Sequence, residues 1–294
     1  MQGITPHLWF DKEAGEAAEF YTSLLEGSSV GKITTLPGTP GGDANIVPFT
    51  LAGQPFMSIS AGPLIVFNPS ISFLVSCTSR DEVDRLWSRL SEGGKELMPL
   101  GSYPFSQRYS WLEDRYHLSW QLMDVGDRPI SRKITPTLMF VGDGCGRAEE
   151  AIEFYTALFP DAEAGEIARY GNDAAPSREG NVMHGAFNIA GQPFAAMDGA
   201  GEHNFGFNEA ISFMVLCEDQ QEIDRYWGAL SAVPEAEQCG WCKDKFGVSW
   251  QVTPARLEDM LSGADEQQMA RVVHAFMPMK KFDLATLERA YRGG

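Results

Sequence analysis

The stretch that decides the fold is Ile4-Thr5-Pro6-His7-Leu8-Trp9-Phe10. It is written again 130 residues later, as Ile134-Thr135-Pro136-Thr137-Leu138-Met139-Phe140. Further matches follow in the same order. Residues 17–25 (AAEFYTSLL) return at 151–159 (AIEFYTALF), 52–56 (AGQPF) at 190–194, 67–77 (FNPSISFLVSC) at 207–217 (FNEAISFMVLC), and Ser119-Trp120-Gln121 as Ser249-Trp250-Gln251. The offset runs from 130 through 134, 138 and 140, then back to 130, so only the spacings between matches change. Length changes confined to loops are the mark of two copies of one fold. The copies are set at 1–126 and 134–256. The polar, proline-bearing Asp127-Arg128-Pro129-Ile130-Ser131-Arg132-Lys133 lies between them, and 257–294 form a helical tail.

Within one copy, residues 5–10 alternate as a strand, and 13–25 place Ala17, Phe20, Tyr21, Leu24 and Leu25 on one helical face. Strands at 30–36, 46–51 and 56–60 follow, separated by Pro37-Gly38 and Gly53-Gln54-Pro55. The pattern then restarts with a strand at 71–77. Ser79-Arg80-Asp81-Glu82 matches a capping box that opens a second helix, with Val83, Leu86, Trp87 and Leu90 as its buried stripe. Strands near 96–100, 109–112 and 118–123 complete the copy. Asp219 and Glu222 take the cap positions in the second one. Each copy is therefore β-α-β-β-β twice over, an α+β class with mostly antiparallel pairing. Helices at 257–261, 266–276 and 284–291 make up the tail.

Composition narrows the function classes. Lys+Arg of 23 against Asp+Glu of 40 give a net charge of −17, which repels a phosphate backbone and disfavours nucleic acid as a partner. No apolar run reaches the ~18 residues of a membrane span, and the first residues lack a basic region followed by an apolar core. Five cysteines without a regular framework fit a reducing compartment. The expectation is a cytoplasmic protein with a small-molecule partner and no membrane or nucleic-acid partner.

The motifs ITPxLxF, EFYTxLF, LAGQPF, FNxxISFxVxC and Trp-x-x-Asp-x-(Tyr/Phe)-x-x-Ser-Trp-Gln together resemble the PhnB-like family of the glyoxalase/extradiol dioxygenase, or vicinal oxygen chelate, superfamily. The resemblance covers roughly 4–254. It implies two tandem glyoxalase-like domains, each of two βαβββ modules in a curled mixed or antiparallel sheet whose concave face forms a cavity. It also implies an internal pseudo-dimer, with a homodimer as a further option. Members often carry a demethylubiquinone methyltransferase label. A methyltransferase of the usual type needs a glycine-rich loop between a strand and a helix, and the stretches 38–42 and 142–146 do not read as one.

In metal-dependent superfamily members the first histidine ligand aligns at or near Thr5 and Thr135, and the last glutamate at Gln121 and Gln251. Replacing His by Thr and Glu by Gln removes charge and donor strength together, so the expected cofactor is none, with a divalent metal as the alternative. Strand alternation puts Thr5, His7 and Trp9 on one face, opposite Pro6, Leu8 and Phe10. Ser119 and Gln121 alternate with Trp120. The pocket-lining candidates are thus Thr5, His7, Trp9, Ser119, Gln121, Thr135, Thr137 and Gln251. Asp198 joins them at a strand end, against a plain turn role. Cys239-Gly240-Trp241-Cys242 has redox or zinc spacing, but a turn rather than a helix follows it. Trp111, Trp241, Trp120 and Trp250 read as core. The leading function is a small-molecule-binding protein or non-metal enzyme of this superfamily. The alternatives are a metal-dependent lyase, isomerase or dioxygenase, and an interaction module with filled cavities.

Overall fold

The structure, a computed structural model, describes residues 1–39, 42–171, 179–199 and 201–293. Four βαβββ-type modules follow one another. The first is β1 (Gly3–Phe10), α1 (Ala14–Thr22), β2 (Ser29–Val30), β3 (Thr34–Thr39), β4 (Gly42–Leu51) and β5 (Gln54–Ser60). The second is β6 (Ile71–Cys77), α2 (Arg80–Leu90), β7 (Lys95–Tyr103), β8 (Ser106–Glu113) and β9 (Ser119–Asp124). The third is β10 (Ile134–Phe140), α3 (Ala148–Leu158), β11 (Glu163–Arg169), β12 (Val182–Ile189) and β13 (Gln192–Asp198). The fourth is β14 (Ile211–Cys217), α4 (Gln220–Leu230), β15 (Trp241–Lys243) and β16 (Ser249–Pro254), followed by the tail helices α5 (Arg256–Gly263), α6 (Glu266–Phe276) and α7 (Leu284–Arg292). No helix among the described residues is long and apolar enough to cross a membrane.

The sheets do not follow the sequence copies. Sheet 1 runs β15-β16-β14-β1-β5-β4-β2, with β3 also on β4, and sheet 2 runs β11-β12-β13-β10-β6-β9-β8-β7. The compact units are accordingly residues 1–66 with 208–294, and residues 67–207. The expected domains 1–126 and 134–256 are repeats of sequence, but each splits between the two units. The reason is an edge. In every module the first strand pairs in parallel with the last, as β1 does with β5 and β10 with β13. That leaves the other edge of the first strand open, and open edges must be covered. β14 covers β1, antiparallel from Gly3↔Leu216 to Leu8↔Ile211, and β6 covers β10 from Ile134↔Val75 to Leu138↔Ile71. A repeat search recognises the modules but carries no information on which copy supplies the mate.

Helices lie on one face of each sheet. Ser60, in register with Phe10, accepts from the Ala14 N–H at the start of α1 (3.2 Å), and Tyr155 of α3 stacks on Phe187 of β12. Both contacts place Ile4, Leu8 and Phe10, or their counterparts, under the module helices and leave the other side of each sheet free of α1–α4, the sense in which it is helix-free; on sheet 1 the tail helices reach its margin at Leu36 and Ile46. Two smaller departures have local causes. The strand expected at 30–36 is broken by a one-residue shift of register against β4: Ser29↔Thr50 and Val30↔Phe49 continue to the Gly31 N–H on Pro48 O (2.7 Å), and pairing resumes at Thr34↔Ile46. In the fourth module a 3₁₀ turn, Pro234–Ala236, stands where β7 lies in the second. The exposed start of β15 is covered instead by the tail, through Cys239 N–H to Met279 O and Gly240 N–H to Lys280 O, both 2.7 Å.

The Trp-x-x-Asp…Ser-Trp-Gln motif is explained by a buried carboxylate. Asp114 Oδ1 accepts from the N–H groups of Tyr116 and Leu118 while Oδ2 accepts from Trp120 Nε1 (2.9 Å). Asp244 does the same for Phe246, Val248 and Trp250 Nε1 (2.8 Å). Each aspartate closes the turn into the last strand and pins a core tryptophan, which packs on Phe73 or Phe213. His117 (φ 66°) takes the left-handed turn position that Gly247 (φ 88°) holds in the other copy. Asp244→Ala orphans two amides and an indole N–H at once. Chemical denaturation is expected to show a loss of about 3 kcal/mol for this variant, against less than about 0.5 for an exposed carboxylate such as Asp143→Ala.

Candidate functional site

The helix-free face of sheet 1 is assembled by strand register. His7 lies opposite Ser212 on one side and Met57 on the other, and Thr5 lies opposite Met214, which neighbours Gln251 and then Trp241. Gln251 Nε2 donates to Ser212 Oγ (2.9 Å). His7 is only 5% exposed, and its ring meets Trp241 edge-on with centroids 5.3 Å apart. Trp9 is anchored by Nε1 donating to Gly62 O (2.9 Å). His7 Nδ1 is buried with no hydrogen-bond partner. Burial without a counter-charge lowers the His7 pKa to about 3, so the imidazole is neutral near pH 7.

Sheet 2 repeats this plan. Thr137 faces Ser72 in register, Thr135 faces Leu74, and Leu74 neighbours Gln121. Gln121 Nε2 donates to Ser72 Oγ (2.8 Å), as its counterpart does in sheet 1, while Gln121 Oε1 accepts from Tyr109 OH (2.7 Å). Trp111 Nε1 donates to Ser119 Oγ (2.8 Å). Thr137, 2% exposed, is the counterpart of His7, and its Oγ1 is likewise buried without a partner. Thr5, His7 and Gln251 are therefore brought together on one sheet, and Thr135, Thr137, Ser119 and Gln121 on the other. Sequence reasoning missed Ser72, Ser212 and Tyr109, although the serine after the first isoleucine of both ISF segments carried the signal. It also grouped the tryptophans too simply. Trp120 and Trp250 are core, and Trp111 is buried too, in a cluster on the helix-free face of sheet 2, whereas Trp241 is half-buried on the helix-free face of sheet 1.

Asp198 is a correction. It is in register with Phe140 and so belongs to the helix-packed face. Its Oδ1 accepts from Gly146 N–H (2.7 Å) and Ala148 N–H (3.3 Å), and its Oδ2 from Val182 N–H (2.9 Å). The stretch 142–146 does join strand β10 to helix α3, contrary to the sequence reading. The anion site that such a helix start offers is filled by the protein's own carboxylate. The other glycine stretch, 38–42, includes residues 40–41, which lie outside those described. The Cys239–Cys242 pair is also committed elsewhere. Burial pushes Cys242 up to about 12 and raises Cys239, whose Sγ points at Phe276 O and Met277 O of the tail. Neither thiol is activated as a thiolate.

A divalent ion finds little on either face. Among the described residues no group of three or more His, Cys, Asp or Glu side chains stands together. The positions that align with metal ligands are Thr5, Thr135, Gln121 and Gln251, and Gln121 already spends its amide oxygen on Tyr109. The donor set is neutral and does not fit a hard cation.

Two mixed sheets, each built from paired βαβββ modules with helices on one face, define a glyoxalase/dioxygenase-like, vicinal oxygen chelate fold. A protein provisionally described as a dioxygenase from Bacillus subtilis shares it, with a TM-score of 0.50 at 14% identity over 90% of both chains. The family model for 3-demethylubiquinone-9 3-methyltransferase matches twice, at 2–123 and 132–253, and the chain belongs to that PhnB-like family. A PhnB protein from Bacillus cereus is 40% identical over 40% of this chain and 96% of its own, with a TM-score of 0.38. The protein PA1353 from Pseudomonas aeruginosa is 23% identical over 40% of this chain and 92% of its own (TM-score 0.35). No curated protein matches the sequence.

The neutral His7 makes stability depend on pH. Its folded pKa lies below the ordinary 6.5, so the unfolded chain takes up the proton first as pH falls. Stability is complete above about pH 6.5 and declines from there toward pH 3, by at most about 1.4 kcal/mol per pH unit from this group. Urea unfolding of His7→Phe between pH 7 and 4 is expected to show a flatter decline than the parent protein. An identical slope would mean that His7 is protonated in place.

Proposed function

We propose that this chain is a small-molecule-binding protein or non-metal enzyme of the vicinal oxygen chelate superfamily. Its organic ligand is held on a helix-free sheet face by neutral hydrogen bonds, without a resident divalent cation. One observation carries the reading. His7 Nδ1 and Thr137 Oγ1 are buried, lack partners, and occupy the same position in the two copies, each beside a Gln–Ser pair. A buried polar atom left unsatisfied costs about 1–3 kcal/mol. Such a cost repeated at equivalent positions is accounted for when a ligand supplies the missing partner. Methyl transfer, which the family's name describes, finds less support, because the helix start after 142–146 is occupied by Asp198. The fused copies act as an internal pseudo-dimer, since each sheet takes one module from either copy.

A thermal-shift screen of neutral and oxygen-rich metabolites tests the reading. A ligand at a hundred times its Kd adds about 2.7 kcal/mol of stability, and at least one of the two substitutions, His7→Phe and Thr137→Val, is expected to reduce that gain. If no compound shifts the Tm and both substitutions simply stabilise the protein, the faces are filled and the chain is an interaction module.

A further inference from the structure

The two helix-free faces are unequal, and the inequality points to one of them. On sheet 1, Leu36 and Ile46 form a single apolar cluster with Leu257, Val272, Phe276 and Phe282 of the tail, and Cys239 at the opposite edge joins it. Register places Leu36 and Ile46 on the helix-free side, because Thr34 faces Ile46, Ile46 faces Ile59, and Ile59 faces Trp9. The tail thus touches both margins of that face and straps it. Sheet 2 has no such tail in its unit.

What sheet 2 has instead is the β7–β8 hairpin. Tyr103 ends β7, Phe105 sits at its turn, and Tyr109 lies on β8. Their rings form a three-membered cluster: Tyr103–Phe105 stacked at 5.7 Å, Phe105–Tyr109 edge-on at 5.0 Å, and Tyr103–Tyr109 edge-on at 5.4 Å. Phe105 is 52% exposed, and every other Phe, Tyr or Trp among the described residues is buried or half-buried. Tyr109 and Trp111 continue the cluster inward to Met139 and Met197. The fourth module lacks this strand, and Cys239 holds Tyr109's place there. Below the aromatic wall the hydrogen-bonding groups are uncharged. Tyr109 OH is committed to Gln121 and Gln121 Nε2 to Ser72, which leaves two groups here without a partner, the Thr137 hydroxyl on the strand and His203 Nε2, whose ring packs on Phe205 of the same cluster.

We infer that the helix-free face of sheet 2 is the ligand site, one per chain, and that it takes an uncharged, planar conjugated ring bearing an acceptor oxygen. The inference rests on the function proposed above and names its ligand class. Aromatic and thioether walls contact a flat ring through both its face and its edge. The Thr137 O–H then donates to the ring's oxygen, and half-exposed Phe105 closes over the outer edge.

Equilibrium dialysis of the full chain against chromone, a flat ring with a carbonyl, and against naphthalene, a flat ring without one, tests this. One saturable chromone site per chain is expected. Phe105→Ala, at an exposed position, should weaken both probes about fivefold. Thr137→Val should weaken chromone about fivefold and leave naphthalene unchanged, and His7→Phe should alter neither. Two equal sites, or chromone binding lost in His7→Phe and untouched in Phe105→Ala, would overturn the inference. So would the absence of chromone binding. In that last case, a metabolite from the thermal screen that still depends on His7 or Thr137 would leave the broader reading standing, and no such metabolite would end both.

Discussion

The antiparallel pairing of β1 on β14, and of β10 on β6, is the constraint from which the rest of the structure follows. Each module can satisfy its first strand on one side only, by pairing in parallel with its own last strand. The remaining row of N–H and C=O groups must find a mate. Because the mate comes from the other sequence copy, neither copy builds a sheet alone. The same pairing also sets opposite one another the residues that make the helix-free faces, His7 against Ser212 and Thr137 against Ser72.

Charge and neutrality are divided between the two sides of the structure. Asp114, Asp244 and Asp198 are buried carboxylates, and each gathers backbone N–H groups at a turn or a helix start. They stabilise turns and entries into secondary structure and are unavailable for chemistry. The helix-free faces have at their centres Thr, Ser, Gln and a histidine kept neutral by burial. A face so furnished presents directed, neutral hydrogen-bonding groups and offers little to a cation. The tail and the β7–β8 hairpin then distinguish the faces. They are alternative answers to one problem, the cover of the edge strand β15 or β8, and they leave different surroundings over equivalent floors.

Much of this was legible in the residues. Alternation in ITPHLWF placed His7 on the face away from α1, and Ser79 and Asp219 open α2 and α4 as caps, each accepting from the glutamate N–H three residues on, while Glu82 and Glu222 reach back to the N–H of Thr78 and Glu218, one residue before the cap that the box required. Three things were not legible. Module exchange leaves no trace in a repeat, because every module presents the same open edge. The side on which Asp198 falls depends on its register with Phe140, which the pairing of β10 with β13 sets and the residues of one strand do not show. Tyr103 and Phe105 lie in the stretch where the copies differ in length, so comparison of the copies passed over them. Loop-length differences were read as the mark of two copies of one fold; they also fall where the surroundings of the two helix-free faces differ.

Native-state hydrogen exchange on Phe213→Ala, a core substitution in β14, tests the interleaved assembly most directly. The account predicts that protection falls together in β14, β16, β1 and β5, crossing between the sequence copies, while β10, β13 and β6 keep theirs. Loss of protection throughout 134–254 with β1 and β5 untouched would contradict it and return the chain to two self-contained domains.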